Sequence, residues 1–532
     1  MLQIMTTEMR AKRKPLSFST TMRNPDRIAG FLNQLLPFEN KKLTSEVIYQ
    51  IIHNVIKNKL YKTMYEMRNP IYKEIFESDD LKFSDTQVED IIHHSPQKHK
   101  ESGFEYGWES RFQTWYGLPQ EFGFVFFAKD KILKISNTGH MLIDAYNEET
   151  PNNEKIQNVF LNSMMKYQTN NPFKKNSNAN VPLLLLLNTI KLLKDDPDEN
   201  DAGIFRNELS ILICWGDNDA RAVYDKIKQV RKAVGFNYSD EYMYNLCLEI
   251  LGFKTNEEKD EVRNYYKMEK ICGEAIDEYI RKMRSTGILS LRGNGRFLDI
   301  NSFEEEKIDY VISNYSQYKE YETKEEYYNY MGKIDNNILT LVERVSEDDK
   351  NTLRISTLTK FAESYSPNKI FEELQLLSER KESHDNLLKF IPAPTRLEFL
   401  TSIAFKQNIN GITVFPNYAI DDEGLPTMTA GGNTPDIICY DEQYNSLVEV
   451  TLMCGRSDQV NNEIIPIRRH LIDMKKVNEN SFSLFVAPII HEDTIESADW
   501  YKHKDNVDII PLTIIDMISK LQRNQKLKQF LV

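Results

Sequence analysis

The sequence predicts a multi-domain α+β protein, mostly helical in its N-terminal part and of mixed α/β character at its C-terminal end. Three observations predict it. The chain has 532 residues, and at roughly 150 residues per domain it has room for about three or four cores. Its composition, 40% apolar and 11% aromatic with only 20 Gly and 19 Pro, excludes disordered, collagen-like and disulfide-built classes. Apolar residues recur at helical spacing over most of the first 400 positions, whereas a strand, turn and strand pattern stands at 435–452.

The elements follow in chain order. Met1 to Pro15 lacks the apolar stretch and small-residue cleavage site of a secretory signal. Ser45 to Tyr61 is a helix with Val47, Ile48, Ile51, Ile52, Val55 and Ile56 on one face. In Gly123 to Ser136, Phe124 to Phe127 and Ile132 to Ile135 flank the turn Ala128-Lys129-Asp130-Lys131 as a hairpin. Polar breaks at Gln168 to Asn180 and Asp195 to Gly203 read as loops. Glu274 to Ser285 is a helix stopped by Thr286-Gly287; strands Ile288 to Leu291 and Phe297 to Ile300 then enclose a turn from Arg292 to Arg296. A helix followed by a basic hairpin has the outline of a winged helix.

A winged helix needs Lys and Arg on the helix and the hairpin, because both lie against phosphates. Arg281, Lys282, Arg284, Arg292 and Arg296 supply them in the second unit, and Lys129, Lys131 and Lys134 in the first. Ordinary solvated charge at a helix end explains the same residues. The net charge of -13 gives no support to nucleic-acid binding, yet it is unevenly spread. Residues 1–75 carry 13 Lys or Arg against 6 Asp or Glu, and residues 301–350 carry 6 against 13. The basic end places Arg23 and Arg27 as backbone contacts. The longest apolar run, Val181 to Leu187, contains Pro182 and falls far short of the ~20 residues that cross a bilayer, so a cytoplasmic protein is expected. Cys214, Cys247, Cys272, Cys439 and Cys454 form no CxxC pair and read as reduced, mostly buried thiols.

The chemistry concentrates in Asn433 to Arg469. Pro435 to Tyr440 and Ser446 to Leu452 read as two strands joined by a polar turn, with Asp436 at the mouth of the first and Glu449 in the second. Thr451 shares the side of Glu449 because strand side chains repeat every two residues. A carboxylate between two valines is costly to bury without compensation, and a divalent cation held between two carboxylates compensates it. Magnesium suits such hard ligands and assists phosphodiester hydrolysis. An edge strand with Glu449 in water, or a structural ion pair, fits the same alternation.

Pro435-Asp436, twelve residues, then Glu449-Val450-Thr451 resembles the PD-(D/E)xK nuclease core with Thr in the place of Lys. With Glu398 on the helix Thr395 to Phe405, the segment Gly432-Asn433-Thr434-Pro435-Asp436, Glu463 downstream and the opening Ser17 to Ile28, the sequence resembles the AlwI-like type IIS restriction and nicking endonucleases. The resemblance implies two winged-helix-like DNA-recognition subdomains (1–170 and 171–300), an acidic helical linker (301–380) and a magnesium-dependent PD-(D/E)xK-like nuclease domain (381–532). It implies Asp436 and Glu449 as metal ligands and Glu398 and Glu463 as further acidic members of the catalytic site. Double-stranded DNA is the implied partner. A monomer with one site is expected to nick, and second-strand cutting would need a transient second copy or a separate small subunit.

Thr451 departs from the motif because it cannot supply a cation. Arg456, Arg468, Arg469, Lys475 and Lys476 are the sequence-level substitutes, each equally explicable as helix-surface charge. No general base can be assigned, and His470 on its helix reads as a structural hydrogen-bonder or a group titrating near neutral pH. Two other classes stay open at this level: a DNA-binding protein whose nuclease domain is inactive, and a structure-specific repair nuclease.

Overall fold

The computed structural model describes residues 13–531 except 79, 98–106, 149–151, 176–177, 200–202, 342–344 and 433. The N-terminal stretch up to residue 12 and Asn433, both used above, lie outside the described residues. Chain contacts divide the protein into two units, Met1–Tyr61 with Val88–Arg344 and Lys62–Gln87 with Val345–Val532. Residues 301–344 thus count with the first unit and 345–380 with the second. The architecture is α+β: many helices and four separate small sheets among the described residues. No helix among those residues is long and apolar enough to cross a membrane.

In the first unit, the helix Ser45–Lys57 begins where the Thr44 side chain accepts from Val47 N, and it buries Ile48, Ile51, Ile52, Val55 and Ile56. Strands β1 (Val125–Phe126) and β2 (Lys134–Ile135) pair antiparallel about the expected turn. Backbone bonds from Leu43 N to Lys131 O and from Leu133 N to Lys41 O lay the segment 40–43 along that hairpin. A second sheet has the order β3 (Ile204–Phe205), β5 (Phe297–Ile300), β4 (Leu289–Arg292), all antiparallel. Its β4–β5 turn is left-handed at Gly293, Asn294 and Gly295, with φ of 60°, 58° and 80°, a run that glycine makes inexpensive.

The helix that precedes this hairpin, Ala275–Arg284, is not a free reading helix. Ala275, Ile276, Glu278, Tyr279, Ile280, Lys282 and Met283 are all buried along it. The Lys282 ammonium is 2% exposed and donates to the carbonyls of Met22 (3.0 Å) and Arg23 (2.8 Å). Its expected role at a phosphate is therefore corrected: it pins the N-terminal segment to the helix. Burial pulls its pKa down to about 8, against the opposing pull of Glu278.

The second unit is built on a five-stranded mixed sheet of order β12 (Ile509–Thr513), β11 (Ser481–Ala487), β10 (Asn445–Val450), β9 (Ile437–Tyr440), β6 (Thr413–Pro416). β10, β11 and β12 run parallel; β9 is antiparallel to both β10 and β6. β11 is buried at every position and β10 at all but Val450, as expected of strands covered on both faces. Leu447 and Phe485 pack against Ile464, Ile467, Leu471 and Ala498 from the flanking helices and Val507 just before β12. β7 (Tyr418–Ile420) and β8 (Pro426–Ala430) form a separate antiparallel pair. The helix Ala393–Asn408 packs against β6 and β8 and against the helices Glu347–Ser364 and Pro367–Ser378. It is buried throughout Thr395 to Phe405, so any charge on it is held inside the protein.

Candidate active site

The β9–β10 hairpin is closed by Asp441, whose side chain accepts from Gln443 N (2.8 Å) and Tyr444 N (2.7 Å). That local turn fixes the register Val448↔Ile437. It sets Asp436 opposite the end of β10, where the two carboxylates cross-brace the strands. Asp436 N donates to Glu449 Oε2 at 3.0 Å and Val450 N donates to Asp436 Oδ2 at 2.8 Å. One oxygen of each carboxylate is thereby oriented by the backbone.

Two further carboxylates join them. Glu398, 2% exposed on its buried helix, accepts from Ala430 N at 3.0 Å. Its carboxyl is pushed well above the usual range by burial, with the charge of Glu449 adding to the rise and the Ala430 amide opposing it. Asp436 is raised by its depth and then by the charges of Glu398 and Glu449, with a smaller push from Glu463. Glu463 lies in a π-helical turn, Gln459–Ile464, and is raised to about 7, first by burial and also by Glu449, despite a hydrogen bond from Thr451. The structure thus brings Glu398, Glu449 and Glu463 each within electrostatic reach of Asp436. They stand as a cluster of hard oxygen donors whose ionised forms repel.

Among the described residues, no three such groups stand in the arrangement of a bound ion. The donor chemistry nevertheless fits magnesium. All four are carboxylates, and burial with mutual repulsion favours a compensating divalent cation.

Thr451, 8% exposed, does not face open solvent. Its hydroxyl accepts from Met453 N at 3.1 Å and hydrogen-bonds the Glu463 carboxyl, so the residue in the motif's Lys position orients a carboxylate. Most of the substitute cations are engaged elsewhere. Arg456 pairs with Asp493, Arg468 with Asp505 over the Tyr501 ring, Lys475 donates to Asn506 O, and Lys476 pairs with Asp473. Arg469 is exposed. His470 is the nitrogen base at the site: its Nδ1 lies 3.2 Å from Glu449 Oε1. Its spacing of seven from Glu463, two helical turns, is the sequence signal that pairs them on one face.

The basic residues divide differently. Arg292 Nε bonds the buried Asp299 at 2.6 Å and Arg23 Nε bonds Glu278 at 2.6 Å, so both hold structure together. Arg27 lies over the Phe31 ring, and Arg284 is partly exposed. Lys129, Lys131 and Arg296 are exposed at hairpin turns. The strand-like segment 40–43 adds Lys41 and Lys42 beside the first hairpin, a juxtaposition with no local sequence signal.

The family model described as AlwI restriction endonuclease matches residues 120–356 and 334–519, a span from 120 to 519 of the 532 residues. The protein is a restriction endonuclease. It belongs to the AlwI restriction endonuclease family. The small subunit of the heterodimeric restriction endonuclease R.BspD6I is 22% identical over 30% of this chain and 80% of its own, with a TM-score of 0.25. The BpuJ1 endonuclease binding domain, solved with pyrene- and phenanthrene-modified DNA, is 10% identical over 58% of this chain and 91% of its own, TM-score 0.33. Restriction endonuclease FokI is 13% identical over 98% and 97%, TM-score 0.23. No match was found among the curated proteins.

Proposed function

We propose that the protein is a type IIS restriction endonuclease that hydrolyses phosphodiester bonds of double-stranded DNA outside an asymmetric recognition sequence, with magnesium. The single observation that carries the catalytic assignment is the convergence of Glu398, Asp436, Glu449 and Glu463 at the end of β10. Asp436 and Glu449 are the metal ligands, and Glu398 and Glu463 complete the acidic site of a PD-(D/E)xK-like nuclease domain. Bound magnesium would polarise the scissile phosphate and acidify the attacking water. The chain's own residues orient the site: backbone amides aim Asp436, Glu449 and Glu398, Thr451 aims Glu463, and His470 steadies Glu449.

Recognition falls in two N-terminal subdomains, 1–170 and 171–300, joined through 301–380 to the nuclease domain at 381–532. The sheet of order β3-β5-β4, whose β4–β5 hairpin follows the helix Ala275–Arg284, supports a winged-helix reading of the second. The burial of that helix shifts the contact role to the hairpin tip at Arg296, and Lys129 and Lys131 serve the first subdomain. With one acidic hairpin per chain, a monomer nicks one strand at a time, and double-strand cleavage requires a second copy or a separate subunit.

The test is incubation with supercoiled plasmids of diverse sequence and magnesium or manganese. Nicked or linear products with ends at a fixed offset from one sequence support the reading. No cleavage, or ends scattered without sequence, overturns it.

A further inference from the structure

The helical segment that carries Glu463 and His470 runs unbroken from Arg456 to Lys475, with the π turn inside it. Its N-cap residue makes no side-chain bond to the first turn, which holds one acidic residue, Asp458. The preceding residue is Gly455, and a Cβ there would meet Asp458 Oδ2 at 2.5 Å, so the space a capping residue would occupy is already filled. Without a bond from an N-cap side chain, the first backbone N–H groups of a helix need other acceptors.

The missing acceptor comes from far away in the chain. The segment Lys62–Gln87 belongs to the second unit by its contacts, and Asp80 within it accepts from Arg456 N through Oδ1 at 2.6 Å, across a sequence separation of 376 residues. Asp80 Oδ2 stands 3.6 Å from His491 Nε2, and that nitrogen lies 2.8 Å from Cys454 O. Gln459, fully buried one turn on, donates to Met453 O and Ile489 O and accepts from Thr494 Oγ1. Asp80, His491 and Gln459 therefore hold residues 453–456, the connection between Thr451 and the helix bearing Glu463.

We propose that Asp80 is a positioning residue for DNA cleavage. Its carboxylate accepts from the first N–H of a helix whose N-cap residue, Gly455, has no side chain to do so, and so sets the height and rotation at which Glu463 and His470 meet Glu449. This inference rests on the carboxylate cluster being the catalytic site. Glu463 lies seven residues into the helix, roughly 10 Å along its axis, so a frayed first turn reaches the π segment before any other catalytic group. Misplacement of about 1 Å can cost on the order of a hundredfold in rate. A charge-assisted cap accounts for a share of that, on the order of tenfold.

The experiment measures single-turnover cleavage of a plasmid that the full-length protein cuts, against magnesium concentration, together with DNA affinity. Asp80→Ala is expected to cut about tenfold more slowly and to need at least about threefold more magnesium for half-maximal rate, with affinity changed less than about twofold. Asp80→Asn, whose amide oxygen still accepts from Arg456 N, should stay within about threefold of the parent. If Asp80→Ala does not fold, Arg456→Pro tests the same bond from the donor side. Proline is tolerated at the first helical position but has no N–H, so it should cut several-fold more slowly than Arg456→Ala. Parental rates across the magnesium titration for Asp80→Ala, or equal loss in Asp80→Asn and Asp80→Ala, overturn the inference. So do equal rates for Arg456→Pro and Arg456→Ala. Glu449→Ala runs alongside: its inactivity with a fully active Asp80→Ala defeats the positioning role alone, whereas cleavage by Glu449→Ala defeats the site.

Discussion

Neutralising Glu463 should stabilise the second unit in the absence of divalent metal, and only above a defined pH. The Glu463 carboxyl is raised from 4.5 to about 7 by burial and by Glu449. An acid whose folded pKa lies above its unfolded value binds its proton more tightly when folded. Its contribution is full below pH 4.5 and is lost as pH rises through 7. A rise of that size corresponds to at most about 3 to 4 kcal/mol at pH 8, discounted in practice for the partly open face of the residue. The upward shifts at Glu398 and Asp436 have the same sign. Glu463→Gln removes this cost, and at about 2 to 4 °C per kcal/mol for a unit of some 200 residues the gain is several degrees. Calorimetric scans in EDTA at pH 4 and pH 8 measure it: the parent and variant should nearly coincide at pH 4 and separate at pH 8. Magnesium at about 100 times its dissociation constant should restore up to about 2.7 kcal/mol to the parent at pH 8 and much less to the variant. Equal melting of the two proteins at pH 8, or a parent indifferent to magnesium, would refute the electrostatic account of the cluster.

Asp436→Ala and Glu449→Ala should each abolish plasmid cleavage while leaving DNA affinity nearly unchanged, measured by gel shift beside a nicking assay. Lys129→Ala and Lys131→Ala should each lower the slope of log affinity against log salt by about one if they touch phosphates. Lys282→Ala should leave that slope unchanged and instead lower stability by roughly 2 to 4 kcal/mol in urea unfolding, because it strips a buried pair of carbonyl bonds. Increasing enzyme concentration on supercoiled plasmid should accumulate nicked circles first. Simultaneous cutting of both strands at limiting enzyme contradicts one site per chain.

The hairpin that carries Asp436 and Glu449 was legible in the sequence because its determinants are local. Period-two alternation, the Asp441 turn and the thirteen-residue spacing of Asp436 and Glu449 act within twenty residues, and the structure keeps their pairing. The β4–β5 hairpin and the helix Ser45–Lys57 were readable for the same reason. Glu398 and Glu463 entered through family resemblance, since no local pattern ties a buried helix or a π turn to a strand some distance away. Tertiary structure alone decided the rest. Lys282 stands in the basic last turn of a helix, which reads as surface, yet the chain near Met22 folds over it. His470 looked like any helix histidine until packing set it beside Glu449. Asp80 lies in a segment whose sequence gives no hint that it joins the C-terminal unit. Local patterning specifies which residues share a strand or helix face, because backbone geometry repeats at fixed periods. Which faces then meet depends on burial summed over the whole chain, and that sum placed Asp80 at the head of the helix that bears Glu463.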